Sequence, residues 1–302
     1  MSETKGNPAR AAAEQEFDVE SGPVKDRVVP GPALYAHTVI PKKEMTAIVG
    51  VIHGYADHGG RYLHVMERWA TRGIGSIAID LRGHGRADGP RGYCSRFDEF
   101  LDDASELARK IDDRAKGAPA FLFGHSFGGL VAALSVIEKP TIEKPPSWRG
   151  IILSNPFFGL ALKVPPIKVF AGKIASRILP KLGIPSGLSG KDLTHDVARA
   201  KAYDEDPLGF PNATARWFTE TERAQAQALA RASELALPLY ELFGMSDPIA
   251  DSKAARAFFD SAGSPDKKWD GREGLYHETL NEPEWPSIAD AIADWIALHQ
   301  KE

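Results

Sequence analysis

Five short, almost unbroken apolar runs recur along the chain, at 47–52, 76–80, 120–123, 150–153 and 237–243, followed by turns rich in glycine and polar residues. Runs of this length without polar alternation suit strands buried on both faces, as in a parallel sheet. Between and beyond them lie stretches of helical periodicity, at 62–72, 97–115, 127–138, 252–260 and 285–299. Parallel neighbours need crossover connections, so this alternation predicts a doubly wound, mostly parallel α/β sheet. One interval breaks the rhythm. From 158 to 235 no convincing buried strand is found, and a structureless loop of that length would be out of place in a compact domain. The expectation is a helical cap at 159–235, inserted into a core built from 31–158 and 236–302.

Residues 1–30 carry few large apolar side chains and are expected to form a polar, mobile tail or a loosely attached arm. The first residues lack the apolar core of a secretion signal, and no run of 18 apolar residues occurs, which predicts a soluble, cytoplasmic chain. The formal net charge of −4 argues against a nucleic-acid partner. A single cysteine, Cys94, excludes an internal disulfide and fits a reducing compartment.

The third run opens onto Gly124-His125-Ser126-Phe127-Gly128, a Gly-x-Ser-x-Gly pattern between an apolar strand and a helical segment. In that setting a serine sits on a tight strand-to-helix turn, with glycines on either side giving room for close backbone approach. Ser126 is therefore the expected nucleophile. A serine hydroxyl needs a histidine to take its proton and a carboxylate to orient that histidine, in the chain order Ser, Asp/Glu, His. Three histidines follow Ser126. His195 falls in the cap and His299 near the chain end, which leaves His277 in the loop before the last helix. Asp247 follows the strand at 237–243 and is the expected acid; Asp251 is better placed to cap the next helix. The oxyanion needs two N–H donors, assigned to the backbone of Phe127 and of Tyr55, after the first strand. His53, His58 and His64 lack a completing ligand set, so no metal and no cofactor are expected.

These residues, together with His53-Gly54-Tyr55-Ala56-Asp57-His58-Gly59-Gly60-Arg61-Tyr62, Asp80-Leu81-Arg82-Gly83-His84-Gly85 and Tyr276-His277-Glu278, resemble the monoacylglycerol lipase and lysophospholipase branch of the α/β-hydrolases. The resemblance runs from about residue 35 to 295. It implies that fold, an acyl-enzyme mechanism, and the same triad and oxyanion donors. Two positions depart from the family pattern: Phe127 stands where Met is frequent and Asp57 where Glu is usual.

The resemblance implies a small-molecule partner, the ester of a monoacyl lipid. A general short-chain carboxylesterase and a non-catalytic ligand-binding relative are the alternatives. In the cap, Leu160, Leu162, Val164, Ile167, Val169, Phe170, Ile174, Ile178, Leu179 and Leu182 interleave with Lys163, Lys168, Lys173, Arg177 and Lys181, with no acidic residue from 159 to 190. Such a stretch fits peripheral contact with an anionic membrane, an acyl tunnel, or a helix with a solvated basic face. Ile178, Leu179, Trp217 and Phe218 are the candidate acyl-chain contacts, with plain packing as the other reading. Nothing in the sequence specifies an oligomer.

Overall fold

A computed structural model describes residues 16–138, 147–161 and 166–300. Ten strands and eight α-helices are found among them. The strands are β1 (Phe17–Pro23), β2 (Tyr35–Pro41), β3 (Ala47–Ile52), β4 (Ile74–Asp80), β5 (Ala120–His125), β6 (Trp148–Ser154), β7 (Gly183–Pro185), β8 (Asn212–Thr214), β9 (Leu239–Gly244) and β10 (Lys267–Arg272). The helices are α1 (Leu63–Thr71), α2 (Asp98–Ala115), α3 (Phe127–Ile137), α4 (Pro166–Ile178), α5 (Val197–Asp204), α6 (Ala215–Ala230), α7 (Ser252–Ser261) and α8 (Trp285–Leu298).

Eight strands form one sheet in the order β1-β2-β4-β3-β5-β6-β9-β10. β1 and β2 run antiparallel to their neighbours, and every pair from β4 to β10 is parallel. The five apolar runs of the sequence are the five consecutive strands β4, β3, β5, β6 and β9. β3, β4, β5 and β9 are buried at every residue, because helices cover both faces. Alternate residues divide between two cores. Ile48, Ile52 and Leu122 pack with Phe100 and Leu107 of α2, Leu130 of α3 and Phe258 of α7. Val49, Val51, Phe121 and Phe123 pack with Trp69 of α1 and Ile288, Ile292 and Trp295 of α8. Each such large side chain contributes roughly 1.5–3 kcal/mol by leaving water.

α2 shows how local sequence delimits an element. Asp98 and Glu99 occupy its first turn, where the helix dipole favours negative charge, and Lys116 ends it in the left-handed region at φ +49°. Its apolar stripe, Phe100, Ala104, Leu107 and Ile111, follows helical spacing.

The reading of 1–30 as a mobile tail or loosely attached arm needs correction from residue 16 onward. β1 pairs with β2 in seven-residue register from Phe17↔Pro41 to Pro23↔Tyr35. Phe17, Val24 and Val29 are buried, and the N–H groups of Val28 and Val29 donate to Glu106 Oε1 at 2.6 and 2.8 Å. Backbone pairing and one buried carboxylate anchor a segment whose side chains alone would not. Residues 1–15 lie outside the described residues.

Between β6 and β9 the chain leaves the large sheet. The described residues there form α4, α5, α6 and a separate antiparallel pair, β7 with β8, in which β7 is exposed throughout. Leu162, Lys163 and Val164 lie outside the described residues. No helix among the described residues is long and apolar enough to cross a membrane.

Candidate active site

β5 ends at His125, and Ser126 begins the turn into α3 with φ +52° and ψ −119°. Such a conformation costs a non-glycine residue about 1–3 kcal/mol. Hydrogen bonds hold it there. The Ser126 N–H donates to Ser154 O at 2.9 Å, and Ser126 O accepts from the N–H groups of Gly129, Leu130 and Phe157. The flanking glycines are sterically required. A Cβ on Gly124 would lie 2.4 Å from Gly128 O, and one on Gly128 would lie 2.3 Å from Ile52 O and 2.4 Å from His53 O. Gly128 thus lets α3 press against the end of β3, where the loop carrying Tyr55 begins.

Three residues far apart in sequence meet at the C-terminal ends of the strands, where open α/β sheets present their ligand crevice. Ser126 Oγ lies 2.8 Å from His277 Nε2, and His277 Nδ1 lies 2.7 Å from Asp247 Oδ2. Asp247 follows β9, and its Oδ1 accepts from the N–H groups of Ile249 and Ala250 at 2.7 and 3.1 Å. Asn155, just past β6, donates to Asp247 Oδ2 at 2.7 Å. Burial opposes the charge on Asp247, but His277, Asn155 and the Ile249 N–H outweigh it and hold its pKa below the usual value. Burial likewise opposes a charge on His277, yet Asp247, with Glu278 and Asp57 further off, raises its pKa above 6.5. His125, whose ring centroid is 4.9 Å from that of His277, is pushed down to about 4 by burial and by His277, so it stays neutral.

The histidines and the carboxylate set aside in the sequence are engaged elsewhere. His195 contacts Glu282 at 3.0 Å, and His299 contacts Asp266 at 2.8 Å. Asp251 caps α7, accepting from the Lys253 N–H at 2.8 Å. His53 organises the loop after β3: its Nε2 accepts from the Leu81 N–H at 3.0 Å, and its Nδ1 lies 2.7 Å from Gly54 O.

One set of site residues was not foreseen from sequence. Glu278, next to His277, makes two 2.7 Å contacts with the guanidinium of Arg61. Arg61 reaches Asp57 Oδ1 at 3.1 Å, while Asp57 Oδ2 accepts from the Gly54 N–H at 3.3 Å and from Tyr62 Oη at 3.0 Å. The result is a continuous polar link from the residue beside His277 to the residue before Tyr55. Burial works against the Asp57 and Glu278 charges, and Arg61 more than compensates, holding both carboxyls below their usual range. Among the described residues, no backbone carbonyl of the turns and loops accepts from the N–H groups of Tyr55 or Phe127.

Ser126 and His277 open onto a cavity of about 810 Å³, within the range of small-molecule sites. Apolar side chains dominate its wall, among them Leu160, Leu182, Ile184, Trp217 and Phe218. Asp57, Tyr203 and Glu278 are among its polar exceptions, gathered around Arg61, whose guanidinium sits 5.0 Å from the Tyr203 ring. Trp217 both lines the cavity and packs, its ring centroid 3.8 Å from that of Tyr55. Ile178 and Leu179 are a correction. They are 71% and 58% exposed and do not line the cavity, because the end of α4 turns them to solvent.

A family model described as Hydrolase_4, serine aminopeptidase S33, matches residues 43–284. A phospholipase named YtpA from Bacillus subtilis is 34% identical over 246 residues, spanning 81% of this chain and 93% of its own. A monoacylglycerol lipase from Mycolicibacterium smegmatis is 30% identical over 264 residues, spanning 86% and 91%. Among solved structures, the crystal structure of Paleococcus ferrophilus monoacylglycerol lipase matches with a TM-score of 0.76 at 29% identity, covering 88% of this chain and 99% of that one. A soluble variant of monoglyceride lipase from Saccharomyces cerevisiae, in complex with a substrate analog, shares the α/β-hydrolase fold at a TM-score of 0.81 and 19% identity, covering 95% and 97%.

Proposed function

The chain belongs to the Hydrolase_4 family and is a carboxylic ester hydrolase, and from that premise we propose that it cleaves monoacyl lipids, a monoacylglycerol or a lysophospholipid, through an acyl-enzyme on Ser126. The observation that carries the reading is the 2.8 Å contact between Ser126 Oγ and His277 Nε2 at the wall of a mostly apolar cavity with a polar corner.

In this mechanism Ser126 Oγ attacks the ester carbonyl as His277 Nε2 takes its proton. Asp247 keeps Nδ1–H directed at itself, which fixes the tautomer and stabilises the imidazolium. The oxyanion is received by the N–H groups of Phe127 and Tyr55; that of Phe127 also lies at the positive end of α3. His277 then protonates the leaving alcohol and activates water for deacylation. No cofactor enters any step. The apolar wall, with Trp217 and Phe218, takes the acyl chain, and the Asp57, Tyr203 and Glu278 corner takes the hydroxyl-bearing alcohol.

The described residues of the 159–235 insertion act as a cap over this cavity. Ile167, Phe170 and Ile174 on α4 are 72%, 61% and 46% exposed, and Lys173 and Arg177 share the helix. That combination supports docking of the cap on an anionic lipid surface.

Two measurements test the reading. A fluorophosphonate probe labels the wild-type protein and fails to label Ser126→Ala. Hydrolysis is then compared across monoacylglycerols, lysophospholipids and p-nitrophenyl esters of rising chain length. A maximum at acetyl or butyryl esters, with no turnover of long monoacyl lipids, replaces this reading with a short-chain carboxylesterase. Absence of both labelling and turnover leaves a binding protein.

A further inference from the structure

Behind the oxyanion loop, β2 and β4 deliver two metal-ligating side chains that no step of the ester chemistry uses, and the loop itself supplies a third. His37 lies on β2, Asp80 ends β4, and His58 precedes the short turn Gly59–Tyr62. One ring nitrogen from each histidine and one oxygen of Asp80 all lie within 4.8 Å of one another. We propose that His37, His58 and Asp80 bind a divalent transition-metal ion, zinc foremost, that fastens the oxyanion loop to the sheet.

The orphaned atom in this cluster is His37 Nε2. It is buried without a hydrogen-bond partner, in a residue only 6% exposed, and it faces Asp80 Oδ1 at 3.6 Å, too far for a hydrogen bond. Its other nitrogen, Nδ1, lies 2.9 Å from Ser21 Oγ on β1. His58 differs in that both ring nitrogens are engaged: its Nε2 is 2.9 Å from Asp206 Oδ2, and its Nδ1 accepts from the Gly60 N–H at 3.2 Å, a bond that metal ligation through Nδ1 would replace. Each histidine thus gives one nitrogen to an outer oxygen, and His37 turns its other nitrogen, unpartnered, toward Asp80. Metal-bound histidines are oriented in this way, the outer partner fixing the tautomer and raising ligand basicity. Asp80 is fixed too, with Oδ1 accepting from the Gly59 N–H and Oδ2 from the Arg86 N–H, both at 2.7 Å.

Three glycines border the cluster, and side chains there would fill it. A Cβ on Gly59 would lie 3.0 Å from His37 Cδ2 and 3.2 Å from Asp80 Oδ1; one on Gly60 would lie 2.9 Å from His58 Nδ1. At Gly85 it would lie 2.2 Å from Asp80 Oδ2. Two imidazoles and one carboxylate suit zinc better than calcium or magnesium, which prefer oxygen-only sets. Tetrahedral zinc bonds of about 2.0–2.1 Å place ligand atoms about 3.4 Å apart, so binding draws the three groups inward by roughly 1 Å. Sequence reading missed the set because His37 and Asp80 stand in different strands, 43 positions apart, and meet only through the β2–β4 pairing.

The test strips the full-length protein with a chelator, reloads it with limiting zinc and measures bound metal after desalting. Wild type and Ser126→Ala each retain about one zinc per chain, His37→Gln retains almost none, and zinc raises the wild-type melting midpoint. Retention below about a tenth of an equivalent by wild type overturns the proposal whatever the variants do. So does undiminished retention by His37→Gln, which would put the metal at another pair such as His299 with the exposed Asp266. Should His37→Gln fail to fold, Ser21→Ala removes only the outer partner of His37 and is expected to weaken zinc binding about tenfold. Unchanged zinc affinity in that variant overturns the proposal as well.

Discussion

Asn155 Nδ2 donates to Asp247 Oδ2 at 2.7 Å, the same oxygen that meets His277 Nδ1 at 2.7 Å. Asn155 sits at φ +45°, which asparagine tolerates better than most residues, and its Oδ1 accepts from the Gly244 N–H at 3.3 Å. It therefore ties the end of β6 to the end of β9 at Asp247. Asn155→Ala is expected to lower kcat about tenfold with little change in KM, the loss of one hydrogen bond to a charged group. Asp247→Asn is expected to cost about 10⁴ in kcat by allowing the wrong tautomer. Steady-state kinetics on a p-nitrophenyl ester measures both. Unaltered kcat in Asn155→Ala would show that Asp247 is positioned without it.

The pH profile follows from His277. Its pKa is raised above 6.5, and the proposed mechanism needs the neutral ring, so kcat/KM should rise with pH through a limb centred above 6.5. The stability linkage runs the other way. The ion pair with Asp247 contributes fully below the unfolded histidine value and is lost as pH rises through the folded one. Asp247→Asn removes the main charge favouring the imidazolium and should move the kinetic limb to lower pH. A limb that stays put, or moves up, counts against this account.

Glu241 lies in the middle of β9 on the face that carries Leu239 and Phe243, fully buried, with neither carboxylate oxygen partnered. Burial pushes its pKa well up; Arg256 pulls it down only in part, and Asp260 adds to the rise. A carboxyl of this kind costs stability as pH rises from its unfolded value near 4.5 toward the folded one, since the unfolded chain loses the proton first. Glu241→Leu is expected to be about 1–3 kcal/mol more stable than wild type at pH 8, with a smaller gain at pH 4. Urea unfolding at the two pH values tests this, and an equal gain at both would remove ionisation as its cause.

Gly128 meets the backbone of Ile52 and His53, which cannot rotate away as a side chain could. Gly128→Ala should displace the loop carrying Tyr55 and lower kcat about 10²-fold or more, while the fluorophosphonate still labels Ser126 slowly. A fully active Gly128→Ala would show that the two segments move apart without penalty.

The exposed apolar face of α4 has its own readout. Replacing Ile167, Phe170 and Ile174 together by serine should abolish co-sedimentation with anionic vesicles and leave turnover of a soluble short ester within about twofold of wild type. Equal vesicle binding by the triple variant would place any lipid contact elsewhere.

Strands buried on both faces advertise themselves, and 47–52 and 120–123 were legible for that reason. β10, with the sequence Lys267-Lys268-Trp269-Asp270-Gly271-Arg272, closes one edge of the sheet, where charge discourages further pairing and erases the apolar signature. β1 at the other edge is mostly exposed and equally silent. The geometry among Ser126, Asp247 and His277 agrees with the sequence expectation because nucleophile motif, chain order and loop position constrain one another. The pairing of Arg61 with Glu278 spans 217 positions and follows no local rule. The side of α4 that meets solvent depends on what lies beneath it, which periodicity does not disclose, and Ile178 and Leu179 fell on the wet side.

The two-pronged contact between Arg61 and Glu278 has a practical bearing on redesign. It moors the segment bearing His277 to the one bearing Tyr55. Lengthening either to admit bulkier alcohols would therefore detune both at once, whereas remodelling the wall near Phe218 leaves that mooring untouched.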